Sequence, residues 1–155
     1  MKKSQMEMLG LAIVVVILLV GAIFIVRFGI KKPANYRPDF IRSETASNIL
    51  NTFLNTNAGD CSQLTMTELL QDCAQSKGII CQNSQDSCSY AESTANGIFE
   101  KTLKIWKMQY KFLAYADVNS PLIDLGNKCL GQKDSKTFPI PINPGTMYVK
   151  LDICG

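Results

Sequence analysis

The residues of this 155-residue chain best equipped for chemistry are its six cysteines, Cys61, Cys73, Cys81, Cys88, Cys129 and Cys154. An even number of thiols confined to one part of a chain is the pattern left by disulfide formation in an oxidising compartment. No two of them form a CxxC pair, so neither a zinc ribbon nor a thioredoxin-like redox centre is expected. The spacing does not select one connectivity; ease of closing short loops favours Cys61 with Cys73, Cys81 with Cys88, and Cys129 with Cys154. Each bridge then stabilises a small domain by roughly 2 to 4 kcal/mol.

Little else in the chain is reactive. There is no histidine, which removes the commonest general base, the usual metal ligand and every Ser-His or Cys-His nucleophile pair. Asp117, Asp124 and Asp134 stand in turn-like surroundings without the close oxygen-ligand spacing of a calcium loop, and are expected to be solvated. Phosphate-binding glycine loops and the hydrolase and metalloprotease motifs are also missing. No catalytic, cofactor-binding or metal-binding residues are expected, and the chain is read as a non-enzyme. Trp106, Tyr110 and Phe112 share a strand face where core packing accounts for them, which leaves Tyr115 on the other face as the better exposed contact.

These residues are carried by two unlike regions. Met8 to Val26 contains no charge and no proline and is long enough, as one helix, to cross roughly 30 Å of hydrocarbon. Residues 1–32 are therefore read as a signal and transmembrane anchor helix, 33–38 as a short linker between prolines, and 39–155 as one extracytoplasmic domain. Flanking cations alone lean towards a cytoplasmic C-terminus, since Arg27, Lys31, Lys32 and Arg37 outnumber Lys2 and Lys3. The cysteines overrule that bias, placing the N-terminus in the cytoplasm and the C-terminal domain outside. Residues 1–32 carry five cations and one anion, the remainder eleven cations and twelve anions. A near-neutral domain lacks the footprint that nucleic acid requires, and membrane lipid is the expected neighbour of the basic segment.

The expected fold class is α+β, with two or three helices and a small antiparallel sheet in the domain. A first helix begins near Asp39, with Phe40, Ala46, Ile49, Leu50, Phe53 and Leu54 on one stripe. Thr65-Met66-Thr67-Glu68 is a capping box that opens a second helix over 66–75. A third runs from Ser89 or Tyr90 to Ile105, with Tyr90, Thr94, Ile98 and Ile105 along one face. Period-two alternation then marks a strand from Trp106 to Phe112 and another over Met147, Val149, Leu151 and Ile153. Between them Pro139 and Pro141 restrict Phe138–Ile142 to a sheet edge, and Asn143-Pro144-Gly145 supplies the turn into the last strand.

Lys2-Lys3-Ser4-Gln5-Met6-Glu7, running straight into the apolar helix, resembles the class III signal of archaeal type IV pilin-like proteins. The resemblance covers about the first thirty residues. It implies that a prepilin-type peptidase cuts between Ser4 and Gln5 and that the apolar helix stays on as the mature N-terminus, able to pack in a filament core. Serine stands where glycine or alanine is more usual, and Glu7 becomes the third mature residue, whereas bacterial-type pilins carry glutamate at the fifth. Without processing, Glu7 is an interfacial charge near Lys2 and Lys3. Gly10 and Gly21 fall near one face of the helix and favour close helix approach. The resulting expectation is a cell-surface, pilin-like or pseudopilin-like subunit that forms homo-oligomers or filaments. The alternative is a static single-pass anchor displaying a binding or adhesion domain of an envelope complex.

Overall fold

The computed structural model describes residues 13–24, 36–82 and 84–155. The chain divides into two compact units, Met1–Arg37 and Pro38–Gly155. In the first, residues 13–24 form helix α1, about 18 Å long. Among the described residues no helix is long and apolar enough to cross a membrane. The rest of the Met8–Val26 run lies outside them, as do Ser4, Gln5 and Glu7.

The second unit is α+β. Helix α2 spans Tyr36–Leu54, so Tyr36, Arg37 and Pro38 belong to a helix and not to the expected linker. Pro38 is tolerated because the N–H groups of a first helical turn have no intrahelical acceptor to lose. Ala46, Leu50, Phe53 and Leu54 are buried as expected, but Phe40 at the head of the stripe is exposed. A two-stranded ribbon that sequence periodicity could not resolve follows, β1 (Asn57–Ala58) against β2 (Leu64–Thr65). Helix α3 (Met66–Gln75) starts on the anticipated capping box: Thr65 Oγ1 accepts from the Glu68 N–H, and the Glu68 carboxylate accepts from the Thr65 N–H.

Helix α4 (Ser87–Phe99) begins two or three residues earlier than expected because Asp86 caps it, accepting from the Ser89 N–H at 3.0 Å. Its buried face is Ser87, Ala91, Ala95 and Phe99, one position on from the stripe anticipated from the larger side chains. Core residues four apart drift by about 40° per step around a regular helix. The π-helical turn Glu100–Lys104 widens the winding and returns Leu103 to the core.

The main sheet is antiparallel in the order β4-β3-β6-β5, with β3 Tyr110–Tyr115, β4 Ile123–Gly126, β5 Lys133–Pro141 and β6 Thr146–Cys154. The strand expected from Trp106 starts only at Tyr110; Trp106 lies in the turn that ends the helix and is exposed. Proline-bearing β5 sits at the edge, as anticipated. The turn after it contains a cis Asn143-Pro144 bond and Gly145 at φ 98°, a backbone conformation that glycine adopts without steric cost. Tyr110, Phe112 and Ala114 of β3 and Met147, Val149, Leu151 and Ile153 of β6 line the inner face against the helices. Arg42 of α2 reaches Asp134 of β5 at 2.8 Å, and Gln71 of α3 donates to the Pro141 carbonyl at 2.9 Å. Helices and sheet are thereby pinned at both ends of the edge strand.

Candidate interaction surfaces

All six cysteines are oxidised, but two of the three expected pairs are replaced. Cys61 bonds Cys81, Cys73 bonds Cys88, and only Cys129–Cys154 forms as anticipated. Cys73 lies on the buried face of α3 and Cys88 in the first turn of α4, so their bridge staples the two helices at a Cα separation of 4.8 Å. Beside it Asp72 accepts from Ser76 Oγ at 2.6 Å, from the Gly78 and Ile79 N–H groups, and from the fully buried Ser87 Oγ at 2.6 Å. This carboxylate organises the α3–α4 connection. Nothing in its sequence context distinguished it from a solvated helix residue.

Two of the three aspartates expected in turns are strand residues. Asp124 in β4 pairs with Lys111 of β3, and Asp134 in β5 takes Arg42. Asp117 does hold a turn, accepting from the Asn119 N–H at 3.0 Å. Among the described residues no group of three or more His, Cys, Asp or Glu side chains is placed to hold a metal ion.

The outer face of the sheet carries a charged row. Asp152, almost fully buried, accepts from Lys133 Nζ at 2.8 Å and Ser135 Oγ at 2.6 Å, with Lys150 Nζ 3.2 Å away. Burial raises its carboxyl pKa, but the hydrogen bonds from Lys133, Ser135 and Lys150 outweigh that and hold it below the usual range. Asp72 is likewise lowered: burial opposes ionisation and its four donors win. A depressed folded-state pKa contributes stability that is complete above the unfolded value, near pH 4, and is lost as pH falls through the folded values. Thermal unfolding is therefore expected to be level from neutrality to about pH 5 and to decline below about pH 4. Asp152→Asn should lower the melting temperature most at neutral pH, the gap from the unsubstituted protein closing at the acid end.

Tyr110 and Phe112 share the buried face of β3 with Tyr115 on the other, as expected, but the exposures of Tyr115 and Trp106 differ from expectation. Tyr115 is half-buried, with its ring 5.8 Å from that of Tyr148, whereas Trp106 is 58% exposed. Trp106 belongs to one end of the head, where a groove of about 570 Å³ is lined by Ile41 and Arg42, by Lys107, Met108 and Gln109, and by Cys154 and Gly155. Phe40, Ile41 and Ile105 are exposed beside it in sequence. The helix ends here in a Schellman arrangement: the Met108 N–H reaches the Leu103 carbonyl at 2.9 Å and the Lys107 N–H the Lys104 carbonyl at 2.9 Å. The left-handed residue is Lys107, φ 58°, where glycine is the residue without strain. Lys107→Gly is expected to stabilise the head by about 1 kcal/mol in urea unfolding; an unchanged or lower midpoint contradicts this reading of the turn.

Comparison with family models, with curated proteins and with solved structures finds no match to this chain.

Proposed function

We propose that this chain is a non-enzymatic cell-surface protein, a pilin-like or pseudopilin-like subunit whose apolar N-terminal helix is its membrane anchor before assembly and its packing element afterwards. One observation carries the reading: in α1 the large side chains from Ile13 to Phe24 are 47–67% exposed around the whole circumference, with no polar face. A helix that is apolar all round is stable only when lipid or other apolar helices surround it. Gly21 leaves open space where such a neighbour can approach. The head adds support: three disulfides suit an extracytoplasmic compartment, and its net charge is close to neutral.

The N-terminal residue of the native protein, determined by peptide mass spectrometry after isolation from membranes, tests the proposal. A chain that begins at Gln5 supports pilin-type processing by a prepilin-type peptidase. One that keeps Met1 to Ser4 sinks that route and leaves a permanently anchored binding or adhesion domain of an envelope complex.

A further inference from the structure

We propose that the groove end of the head docks on an anionic lipid surface, with Trp106 and its apolar neighbours at headgroup depth. The inference rests on the anchored reading above and adds a second membrane contact to it. Phe40, Ile41, Ile105 and Trp106 are between 56 and 69% exposed and belong to the two segments that form the groove walls. Fully exposed Leu130 joins them, because Cys129–Cys154 ties its loop to the chain end that lines the groove. The Gly155 N–H bonds the Gln132 carbonyl at 2.7 Å and holds that loop in place.

Charge selects the occupant. Around this end Glu100 is matched by Lys104, Asp134 by Arg42 and Asp152 by Lys133, while exposed Glu44, one turn along α2 from Phe40, enters no ion pair among the described residues. Lys101, Lys107 and Lys128 enter no ion pair among the described residues. Lys101 precedes Ile105 by one turn and Lys107 follows Trp106, so unpaired cations and exposed apolar side chains interleave. Tryptophan among lysines is the composition of a membrane–water interface, and anionic headgroups match the surplus charge. A second copy fits worse, since a two-fold contact sets the same cations against one another. Lipid is also within covalent reach: Phe40 follows Val26 by fourteen residues, about 50 Å even when fully extended. Strained Lys107 is then explained, because glycine there would remove a cation from the contact.

Trp106 is the sole tryptophan and reports its own environment. The full chain is reconstituted into phosphatidylcholine vesicles with or without phosphatidylglycerol, and its fluorescence is followed with brominated lipid and with aqueous acrylamide. In anionic vesicles the emission is expected to shift to the blue, to be quenched by brominated lipid and to be protected from acrylamide. Neutral vesicles should lower the docked-to-undocked ratio about fivefold for each cation engaged, and the double variant Lys101→Glu, Lys107→Glu should do the same in anionic ones. Flotation after an alkaline carbonate wash separates the two readings. A chain that floats while Trp106 stays open to acrylamide overturns docking alone, and a chain that does not float overturns the anchor and docking with it. Protection that disappears as protein is diluted into lipid assigns the surface to a second copy and overturns the proposal.

Discussion

Phe99→Ala is expected to destabilise the head by about 3 to 5 kcal/mol, the largest effect of any single core truncation. Phe99 is fully buried where three elements meet. Its ring centroid is 5.0 Å from Phe112 and 5.2 Å from Tyr110, both on β3, and 6.2 Å from Phe53 on α2. Phe53 and Phe112 complete the cluster edge to face at 5.7 Å. Truncation removes the ring's burial and its edge contacts together. The surrounding elements cannot collapse freely into the cavity: α4 is held at its start by Cys73–Cys88, and β3 is bonded on both sides, to β4 and β6. A domain of this size has about 5 to 15 kcal/mol in total, so a shift of the urea midpoint with the slope preserved is the signature to look for. A loss under about 1 kcal/mol means that the ring is not the hub of the core.

The sequence made the sheet legible because its signal is local. In β6 every second residue from Met147 to Ile153 faces the core, and prolines mark β5 as an edge without reference to any other strand. The capping box of α3 was equally local. Helix faces were harder where the buried residues are small: Ala91 and Ala95 give almost no hydrophobic signal, yet they let α4 lie close, while larger Tyr90 and Ile98 sit half-covered at its flanks. The run Trp106-Lys107-Met108-Gln109-Tyr110 reads as strand alternation by its period alone. Only the carbonyls of Leu103 and Lys104, which accept from the Met108 and Lys107 N–H groups, make it a helix end. The exposed end of the head was hidden for the same reason. Its parts come from residues 40–42, 105–109, 130 and 154–155, and it takes the folded chain and a disulfide to assemble them.

Digestion of the unreduced, denatured protein should show two interleaved bridges, Cys61–Cys81 and Cys73–Cys88. Short-loop closure treats the segment between Cys61 and Cys73 as flexible chain, but most of it is α3, which carries Cys73 about 10 Å along its axis from Met66. A rigid helix keeps its two ends apart however few residues it has. Cys88 is likewise committed to the first turn of α4, while the Cys81 N–H bonds the Gln85 carbonyl in a separate tight turn. Trypsin cuts after Lys77 and Lys101 but nowhere between Cys61 and Cys73 or between Cys81 and Cys88. The short-loop pairing would therefore release peptides 43–77 and 78–101 separately, whereas the interleaved pairing keeps them joined until reduction. A second protease cutting before Asp72 and Asp86 isolates all four cysteines and identifies each bridge. With loops of 15 and 20 residues, each bridge stabilises the fold by about 3 kcal/mol through the unfolded chain. Replacing Cys73 and Cys88 together by serine should lower stability by that amount. Reducing all three bridges should leave the head mostly unfolded at 37 °C, because the loss is comparable to the whole stability of such a domain. A head that stays folded with every cysteine reduced would show that the core alone suffices.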